Sequence, residues 1–205
     1  MTDVAELRRL IDENPWMTLV SATDEGLVAS HYAVVLDPDR DDLTIVGHVG
    51  KPDDLLHQLG SRELLVIVQG PHGYISPGWY GDVASVPTWN FVSAHLTGVP
   101  ELLSTDENLR VLERLVARFE SRMPQPREMW APPNDADYVT RLERGTVGFR
   151  LTPTKVVAKR KLSQNKTPDV VEMIIAELSG DGPFADERLA HEMRRARDAM
   201  AARHA

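Results

Sequence analysis

The sequence has no cysteine, few aromatic residues and no long hydrophobic run. Without cysteine the chain can form no disulfide, thiolate metal site or iron–sulfur cluster, and it can use no cysteine nucleophile. No segment approaches the roughly 20 apolar residues that a membrane-spanning helix needs. The first residues, MTDVAELRRLIDENP, carry charge throughout and lack the apolar run of a signal peptide. We therefore expect no membrane partner and a cytoplasmic location.

Acidic side chains are scarce in two segments of an otherwise acidic chain. The formal net charge of −8 argues against general nucleic-acid binding, which uses a basic face. Residues 155–166, KVVAKRKLSQNK, hold five basic side chains and no acidic one. Residues 188–205 hold five arginines against Glu192 and Asp198. Each segment is either a solvated charged face or an anion-binding site, and the sequence leaves both open.

The 205 residues suffice for one full-sized hydrophobic core, so we expect a single domain with a helical C-terminal extension over about residues 167–205. Apolar residues at helical spacing in residues 3–14 predict a short first helix that Pro15 ends. The runs WMTLVSA, LVASHYAVVL and LTIVGHV, separated by turn residues, predict an antiparallel meander. KPDDLLHQLG then predicts a brief helix.

The second half of the chain returns to strands before it becomes helical. ELLVIVQG predicts a strand, PHGYISPGWYGDVASVP a loop, and VPTWNFVSAHLTG a long strand continuing through PELL. STDENLRVLERLVARFE predicts a helix capped by Ser104 or Thr105, and RMPQPREMWAPPND an irregular excursion. TVGFRLTPTKVVAKRKL predicts a strand pair, and two helices follow. This order predicts an α+β fold that is mainly antiparallel β, either a small barrel or a sandwich.

Two long motifs, GPHGYISPGWY and VPTWNFVSAH, occur in order with LVASH upstream and KRKLSQNK downstream. Together they resemble the PaiB-like family, described as FMN-binding negative transcriptional regulators, over nearly the whole chain. The resemblance implies one FMN-binding split β-barrel domain over residues 1–205, with peripheral and C-terminal helices. It also implies a homodimer with cofactor sites at the subunit interface. The chain departs from the family after His48, where VGKPDDLL replaces a run resembling A-R-A-N-P-x-W.

The strand at residues 86–98 suggests one part of a cofactor site. Trp89 beside Thr88 and Asn90 offers an indole face with a hydroxyl and an amide, which is how flat heteroaromatic rings are held. Trp79 and Tyr80 follow a Pro-Gly step and could join it. The alternative is that these rings are core or packed surface residues, since a tryptophan buries a large area wherever it can.

Two histidines in neighbouring predicted strands suggest a second part. His31 follows Ser30, and His48 follows Gly47. A neutral imidazole can hydrogen-bond to a flavin or ligate haem iron. Structural roles for both histidines remain open, and no tight metal-ligand spacing such as HExxH occurs.

The segment KLSQNK suggests a phosphate site. Lys161 and Lys166 supply charge, and the neutral donors just before a helix whose N-terminus attracts anions are Ser163, Gln164 and Asn165. No GxGxxG or GxxxxGKS run offers another phosphate-binding mode. A helix cap within a solvated loop is the alternative.

These candidates lead to more than one functional hypothesis. With FMN bound, the protein is a negative transcriptional regulator or a flavin-dependent redox protein, and no acid, base or nucleophile decides whether it is an enzyme. The alternative cofactor is haem b with His48 as axial ligand, as in the PaiB-like enzymes that form a nitrogen–nitrogen bond in piperazate synthesis. DNA is a weakly supported partner, because only the helix with Arg194, Arg195 and Arg197 could face it.

Overall fold

A computed structural model of the protein describes residues 2–81 and 84–201. Eight strands are present in that part of the chain: β1 Trp16–Thr23, β2 Gly26–Leu36, β3 Ile45–Gly50, β4 Leu64–Ile75, β5 Thr88–Gly98, β6 Glu101–Leu102, β7 Thr146–Leu151 and β8 Lys155–Lys161. The helices are α1 Val4–Glu13, α2 Asp53–Leu56, α3 Thr105–Glu120, α4 Ala136–Arg144, α5 Pro168–Leu178 and α6 Glu187–Ala201, with a 3₁₀ turn at Pro77–Tyr80. None of the helices in these ranges is long and apolar enough to cross a bilayer.

The strands form one sheet in the order β6-β7-β3-β2-β1-β4-β5-β8. β1 pairs antiparallel with β2, so that Trp16 lies opposite Ala33, and antiparallel with β4, so that Thr18 lies opposite Ile67. β3 joins the other side of β2 and continues to β7. The predicted fold class, mainly antiparallel β with helices at the start, middle and end, is confirmed.

Backbone contacts divide the chain into two compact units. The N-terminal unit consists of Thr2–Val68 and Ala94–Val157. The C-terminal unit consists of Gln69–Ser93 and the described chain from Ala158 onward. The sequence prediction of one domain with a helical extension from about residue 167 stays a prediction.

In the N-terminal unit, α3 packs on the sheet through a small aliphatic cluster. Val111 and Leu115 of α3 lie against Val35 and Val46 of the neighbouring strands. Ser104 and Glu107 form a reciprocal capping box at the start of the helix, a motif that satisfies two backbone donors. The capped, amphipathic helix therefore has a fixed start and a buried face.

In the C-terminal unit, α5 and α6 supply most of the apolar core. Both helices bury one face; the buried residues include Val170, Ile174 and Leu178 of α5 and Leu189, Met193 and Ala196 of α6. Gly73 of β4 lets α6 approach closely, because a Cβ at Gly73 would lie 2.9 Å from the Leu189 side chain. Helix α6 therefore lies directly against β4.

Four details differ from the sequence predictions. The two strands of the predicted pair TVGFRLTPTKVVAKRKL, β7 and β8, are not neighbours in the sheet. β4 continues through the stretch PHGYI, which was expected to be a loop, and β5 ends at Gly98 instead of continuing through PELL. Glu101–Leu102 is a separate short strand that pairs with β7. Helix α4 was not predicted. Parts of the predicted loop before β5 and of the last helix, residues 82–83 and 202–205, lie outside the described residues.

Candidate functional site

Six of the residues predicted to bind a cofactor line one cavity of about 570 Å³ in the C-terminal unit, which we call the lysine cavity. They are Tyr80, Thr88, Asn90, Lys161, Asn165 and Lys166, joined by Ala84, Ser85, Val86 and Ser163. None of these described lining residues is acidic. In a chain of net charge −8, this cavity combines two ammonium groups with hydroxyl and amide groups, a donor set suited to an anion.

The wall of the lysine cavity is held by a buried hydrogen-bonded pair. Asn90 is fully buried, and its Nδ2 donates to Ser163 Oγ at 3.0 Å and approaches Met193 Sδ at 3.4 Å. The Ser163 hydroxyl donates back to Asn90 Oδ1 at 3.2 Å. Ser163 has a φ of 61°, a backbone conformation that residues other than glycine rarely adopt. Asn90 therefore fixes a strained turn just after β8.

Neither Lys161 nor Lys166 forms an ion pair with a residue in the described ranges. Lys161 Nζ donates to Thr88 Oγ1, a neutral partner. Lys166 Nζ lies 5.0 Å from the centroid of the Tyr80 ring, a cation–π contact. Helix α5 begins directly after this loop, and the side chain of its N-cap, Thr167, makes no capping hydrogen bond. Both ammonium groups thus remain available to an anion.

Three other predicted residues of this unit do not line the lysine cavity. Gln164 Oε1 accepts from Leu162 N at 2.7 Å and its Nε2 donates to Arg160 O at 2.9 Å, so its amide fastens the loop. Trp79 lies on the 3₁₀ turn. Trp89 is 55% exposed and stacks on His72, on the face of β5 opposite Thr88 and Asn90. A cofactor contact of these three residues stays a prediction.

In the N-terminal unit, Ser30 belongs to a chain of hydrogen bonds that sequence reasoning missed. Tyr32 Oη and Ser30 Oγ donate to Asp53 Oδ2 at 2.7 and 2.8 Å. His57 Nε2 lies 3.0 Å from Ser30 Oγ, and Ser21 Oγ lies 2.9 Å from His57 Nδ1. Because Ser30 gives its proton to Asp53, His57 must donate from Nε2 and accept at Nδ1. The proton donors therefore all point from Ser21 towards Asp53.

The pKa values along this chain shift as its contacts require. Hydrogen bonds from Tyr32 and Ser30 hold the pKa of the Asp53 carboxyl below its usual value. Burial lowers the pKa of the His57 imidazole, against a smaller opposing effect of Asp53. Burial and the bond to Asp53 raise the pKa of Tyr32. At neutral pH this chain of hydrogen bonds therefore ends on a charged aspartate, and its other members are neutral donors.

His48 lines a separate cavity of about 440 Å³ in the N-terminal unit, which we call the His48 cavity. Its apolar wall comes from α3, α4 and the loop between them: Leu112, Leu115, Val116, Met129, Val139 and Leu142. The Nδ1 atom of His48 is buried and has no hydrogen-bond partner among the residues that the structure describes. Burial lowers the pKa of His48, so the imidazole is neutral at pH 7. The lining also includes Glu120, Arg127 and Glu128, so a ligand of His48 would meet both apolar and charged side chains.

His31 lies on a different surface from Ser30, because successive strand residues point to opposite faces. It is exposed and stacks on Trp16 at a centroid distance of 6.4 Å. The register places ten uncharged or weakly basic residues on this outer face: Trp16, Thr18, Val20 and Ala22 of β1, Leu27, Ala29, His31 and Ala33 of β2, and Leu65 and Ile67 of β4. We call these ten residues the uncharged face. Trp16 and Leu27 are 65% and 81% exposed.

The arginines of α6, the expected DNA-facing group, are engaged in ion pairs. Arg194 pairs with Glu187 at 2.8 Å, and Arg195 with Glu192 at 3.8 Å. Arg197 pairs with Glu172 and, at 2.8 Å, with Asp198. Among the described residues no cluster of three or more histidines and carboxylates could hold a metal ion.

The missed residues left only weak sequence signals. Asp53 and His57 stand four apart, which places them on one side of a helical turn, and the same pattern fits a simple helix start. Ser163 was noticed as a polar donor in KLSQNK, but its bond to Asn90 spans 73 positions. Only the fold brings such pairs together.

A family model described as "Putative FMN-binding domain" matches residues 1–155. The chain is 28% identical over 183 residues to the Protease synthase and sporulation protein PAI 2 of Bacillus subtilis, covering 88% of this chain and 86% of the relative. These matches confirm the resemblance to the PaiB-like family.

The fold resembles solved flavoprotein structures. The FAD and Heme binding protein from Mycobacterium smegmatis matches with a TM-score of 0.61 and 20% identity, over 86% of this chain and 78% of the other. The flavocytochrome Anf3 from Azotobacter vinelandii matches with a TM-score of 0.58 and 14% identity, over 94% and 74%. These likenesses confirm the fold class as that of the flavin-binding split-barrel proteins.

Proposed function

Because the chain belongs to the family of FMN-binding domains, we propose that it binds FMN and holds the phosphate-bearing end in the lysine cavity. The observation that carries this proposal is the pairing of Lys161 and Lys166 with no acidic residue among the described residues lining the cavity. The cavity volume of about 570 Å³ lies within the range of about 300–1,000 Å³ typical of ligand sites.

The side chains of the lysine cavity match a phosphate monoester in their chemistry. Lys161 and Lys166 supply charge, while Thr88 and Asn165 supply neutral polar groups. The Asn90–Ser163 pair keeps the loop in place before a ligand arrives, which lowers the cost of ordering it on binding. Bound FMN would supply the redox chemistry of its ring, and the chain would supply position and charge.

A titration with FMN and riboflavin, followed by flavin fluorescence, tests this proposal. Riboflavin lacks the phosphate, so wild type should bind FMN at least tenfold more tightly. Lys161→Met and Lys166→Met should each weaken FMN about tenfold and leave riboflavin nearly unchanged. Lys159→Met, an exposed lysine of β8 that does not line the cavity, is the matched control. Equal affinity of wild type for both flavins would contradict the proposal.

Of the two finer roles, the proposal favours a flavin-dependent redox protein over a DNA-binding regulator. The arginines of α6 already face carboxylates, and the net charge of −8 opposes approach to DNA. We expect no retention of duplex DNA at about 0.15 M salt, measured by electrophoretic mobility with and without FMN. Tight binding with a steep salt dependence would reverse this preference.

We also propose that two copies of the chain associate through the uncharged face. No Asp, Glu, Lys or Arg occurs among its ten residues, although 26% of the chain is charged. Exposed apolar patches of this kind mark protein interfaces. A face of this composition suits a second copy of itself, because a two-fold interface brings no like charges together.

A second candidate cofactor is haem, and the His48 cavity is the observation that favours it. Haem ligation needs a neutral imidazole beside a cavity with apolar surface, and the His48 cavity offers both, with Glu120, Arg127 and Glu128 as its charged lining residues. Haemin titration of wild type should give a saturable Soret band if this candidate holds. His48→Ala should abolish the band, whereas the control His31→Ala should retain it. Haemin binding that both variants retain equally would exclude His48 as a ligand.

A further inference from the structure

The C-terminal unit has a second cavity beside the lysine cavity. It measures about 400 Å³ and lies between the loop after β8 and helices α5 and α6. Its wall is apolar for the most part, with Leu162, Pro168, Val171, Met193, Ala196 and Met200. We call it the helical cavity. An apolar cavity of this size can bury a chain or ring of roughly eight to ten heavy atoms.

The polar residues of the helical cavity differ in what they can still offer to a ligand. Arg197 already pairs with Glu172 and with Asp198, the one acidic residue among the described residues of the lining, so the Asp198 carboxylate is itself neutralised. Both ends of the Gln164 amide bond to backbone groups of its own loop. Lys166 makes a cation–π contact with Tyr80 and no ion pair with any residue that the structure describes. Lys166 is therefore the lining residue with a positive charge still to be balanced.

From this arrangement we propose that the helical cavity binds an amphipathic carboxylic acid. The carboxylate pairs with Lys166, and the apolar body lies against Val171, Met193 and Ala196. A neutral ligand would leave the ammonium unused, and a cationic ligand would be repelled by it. A nucleotide would bury polar groups against an apolar wall, which is costly.

Lys166 borders both cavities, and this gives the acid a second effect. A carboxylate paired with Lys166 neutralises part of the positive charge of the lysine cavity. The acid and a phosphate ligand therefore weaken each other's binding. By linkage the two effects are equal in size. This coupling rests on the proposed binding of FMN, whereas the acid site itself does not.

Calorimetric titration of the full chain with octanoate and with octanol tests the site. Octanoate should bind saturably and about tenfold more tightly than octanol, and hexanoate more weakly by about fourfold for each methylene lost. Lys166→Met should remove the preference for octanoate over octanol, whereas Lys159→Met, on exposed β8, should keep it. Equal binding of acid and alcohol by wild type, or an unchanged preference in Lys166→Met, would overturn the proposal.

Filling the cavity provides an independent check. Ala196→Phe should abolish binding of both octanoate and octanol. Because Ala196 is buried, Met200→Trp serves as a second variant, since Met200 is 40% exposed and can carry a larger ring at the cavity rim. Octanoate binding retained at full strength in both folded variants would overturn the site.

Titration of the protein with FMN in the presence and absence of octanoate distinguishes a failure of the acid site from a failure of the proposed function. Octanoate should weaken FMN binding to wild type and leave FMN binding to Lys166→Met unchanged. If wild type binds octanoate but no FMN, the proposed function fails and the acid site stands. If wild type binds FMN but no octanoate, the acid site fails and the proposed function stands.

Discussion

Asn90 lies in β5, but its side chain holds the loop after β8 in place. Removing that side chain should therefore destabilise the protein. Asn90→Ala would leave the Ser163 hydroxyl buried without its partner. We expect a loss of about 1–3 kcal/mol in the free energy of unfolding, measured by urea denaturation. Asn165→Ala, an exposed amide two residues after Ser163, is the control and should change stability by less than about 0.5 kcal/mol. Equal losses in the two variants would mean that the buried pair does not hold the loop.

His57 should make the protein less stable in mild acid. Burial lowers its folded pKa, whereas an unfolded chain protonates histidine near pH 6.5. The unfolded state thus binds protons first, and stability falls as the pH drops below about 6.5. His57→Gln should lower stability at pH 7 and flatten its decline between about pH 7 and 5. His48, whose pKa burial also lowers, contributes to the same decline.

Denaturation at several pH values measures this effect. His95→Gln replaces an exposed histidine on β5 and should keep the wild-type slope. A wild-type slope in His57→Gln would show that protonation of this histidine is not linked to unfolding.

Five of the six predicted residues that line the lysine cavity cluster in two short stretches of sequence, residues 88–90 and 161–166, which is why the sequence could suggest them together. What the sequence could not predict was their division between faces. Strand alternation turns Trp89 away from Thr88 and Asn90. The hydrogen-bond chain that links Ser21 to Asp53 was not predicted, because it joins β1, β2 and α2 through side chains that form no sequence motif.

At the scale of elements, α3 depends on a glycine in β7. A Cβ at Gly148 would lie 2.7 Å from Asn108 Oδ1 and 3.0 Å from its Cγ. Asn108 cannot easily move, because it is buried and its Nδ2 donates to Thr146 Oγ1 at 2.9 Å. Gly148→Ala should therefore cost about 1–3 kcal/mol in thermal or urea unfolding.

Gly182→Ala is the matched control for that experiment. A Cβ at Gly182 meets nothing within 4 Å, so stability should stay within about 0.5 kcal/mol of wild type. If Gly148→Ala changed the free energy of unfolding as little as Gly182→Ala, the prediction would be wrong, and α3 would have room to shift on the sheet.

The elements that could be predicted carry strong local signals. The capping residues and apolar spacing of α3 gave its start and its type. Helix α4 has only nine residues and follows a proline-rich stretch, so its pattern was too short to distinguish a helix from a loop. β4 continues past Pro71 because its pairing, and not its local turn composition, decides where the strand ends.

At the scale of the whole molecule, association through the uncharged face can be tested with a single charge. Leu27→Glu would place a carboxylate on that face in both copies and so bury two charges in the apolar contact of a symmetric dimer. We expect wild type to be a dimer by light scattering and Leu27→Glu a monomer. Val99→Glu adds the same charge at an exposed valine away from the face and should remain a dimer. A monomeric wild type would contradict the proposal.

The placement of the four tryptophans has an optical consequence. Trp16, Trp89 and Trp130 are exposed, and Trp79 is only partly covered, so no indole lies in an apolar core. Tryptophan fluorescence of the isolated folded chain should already resemble that of indole in water, and unfolding should change the wavelength of its emission maximum little. Covering Trp16 on the uncharged face would shift the emission towards the blue. Tryptophan fluorescence in this protein should therefore report on its contacts with other molecules more than on its folding.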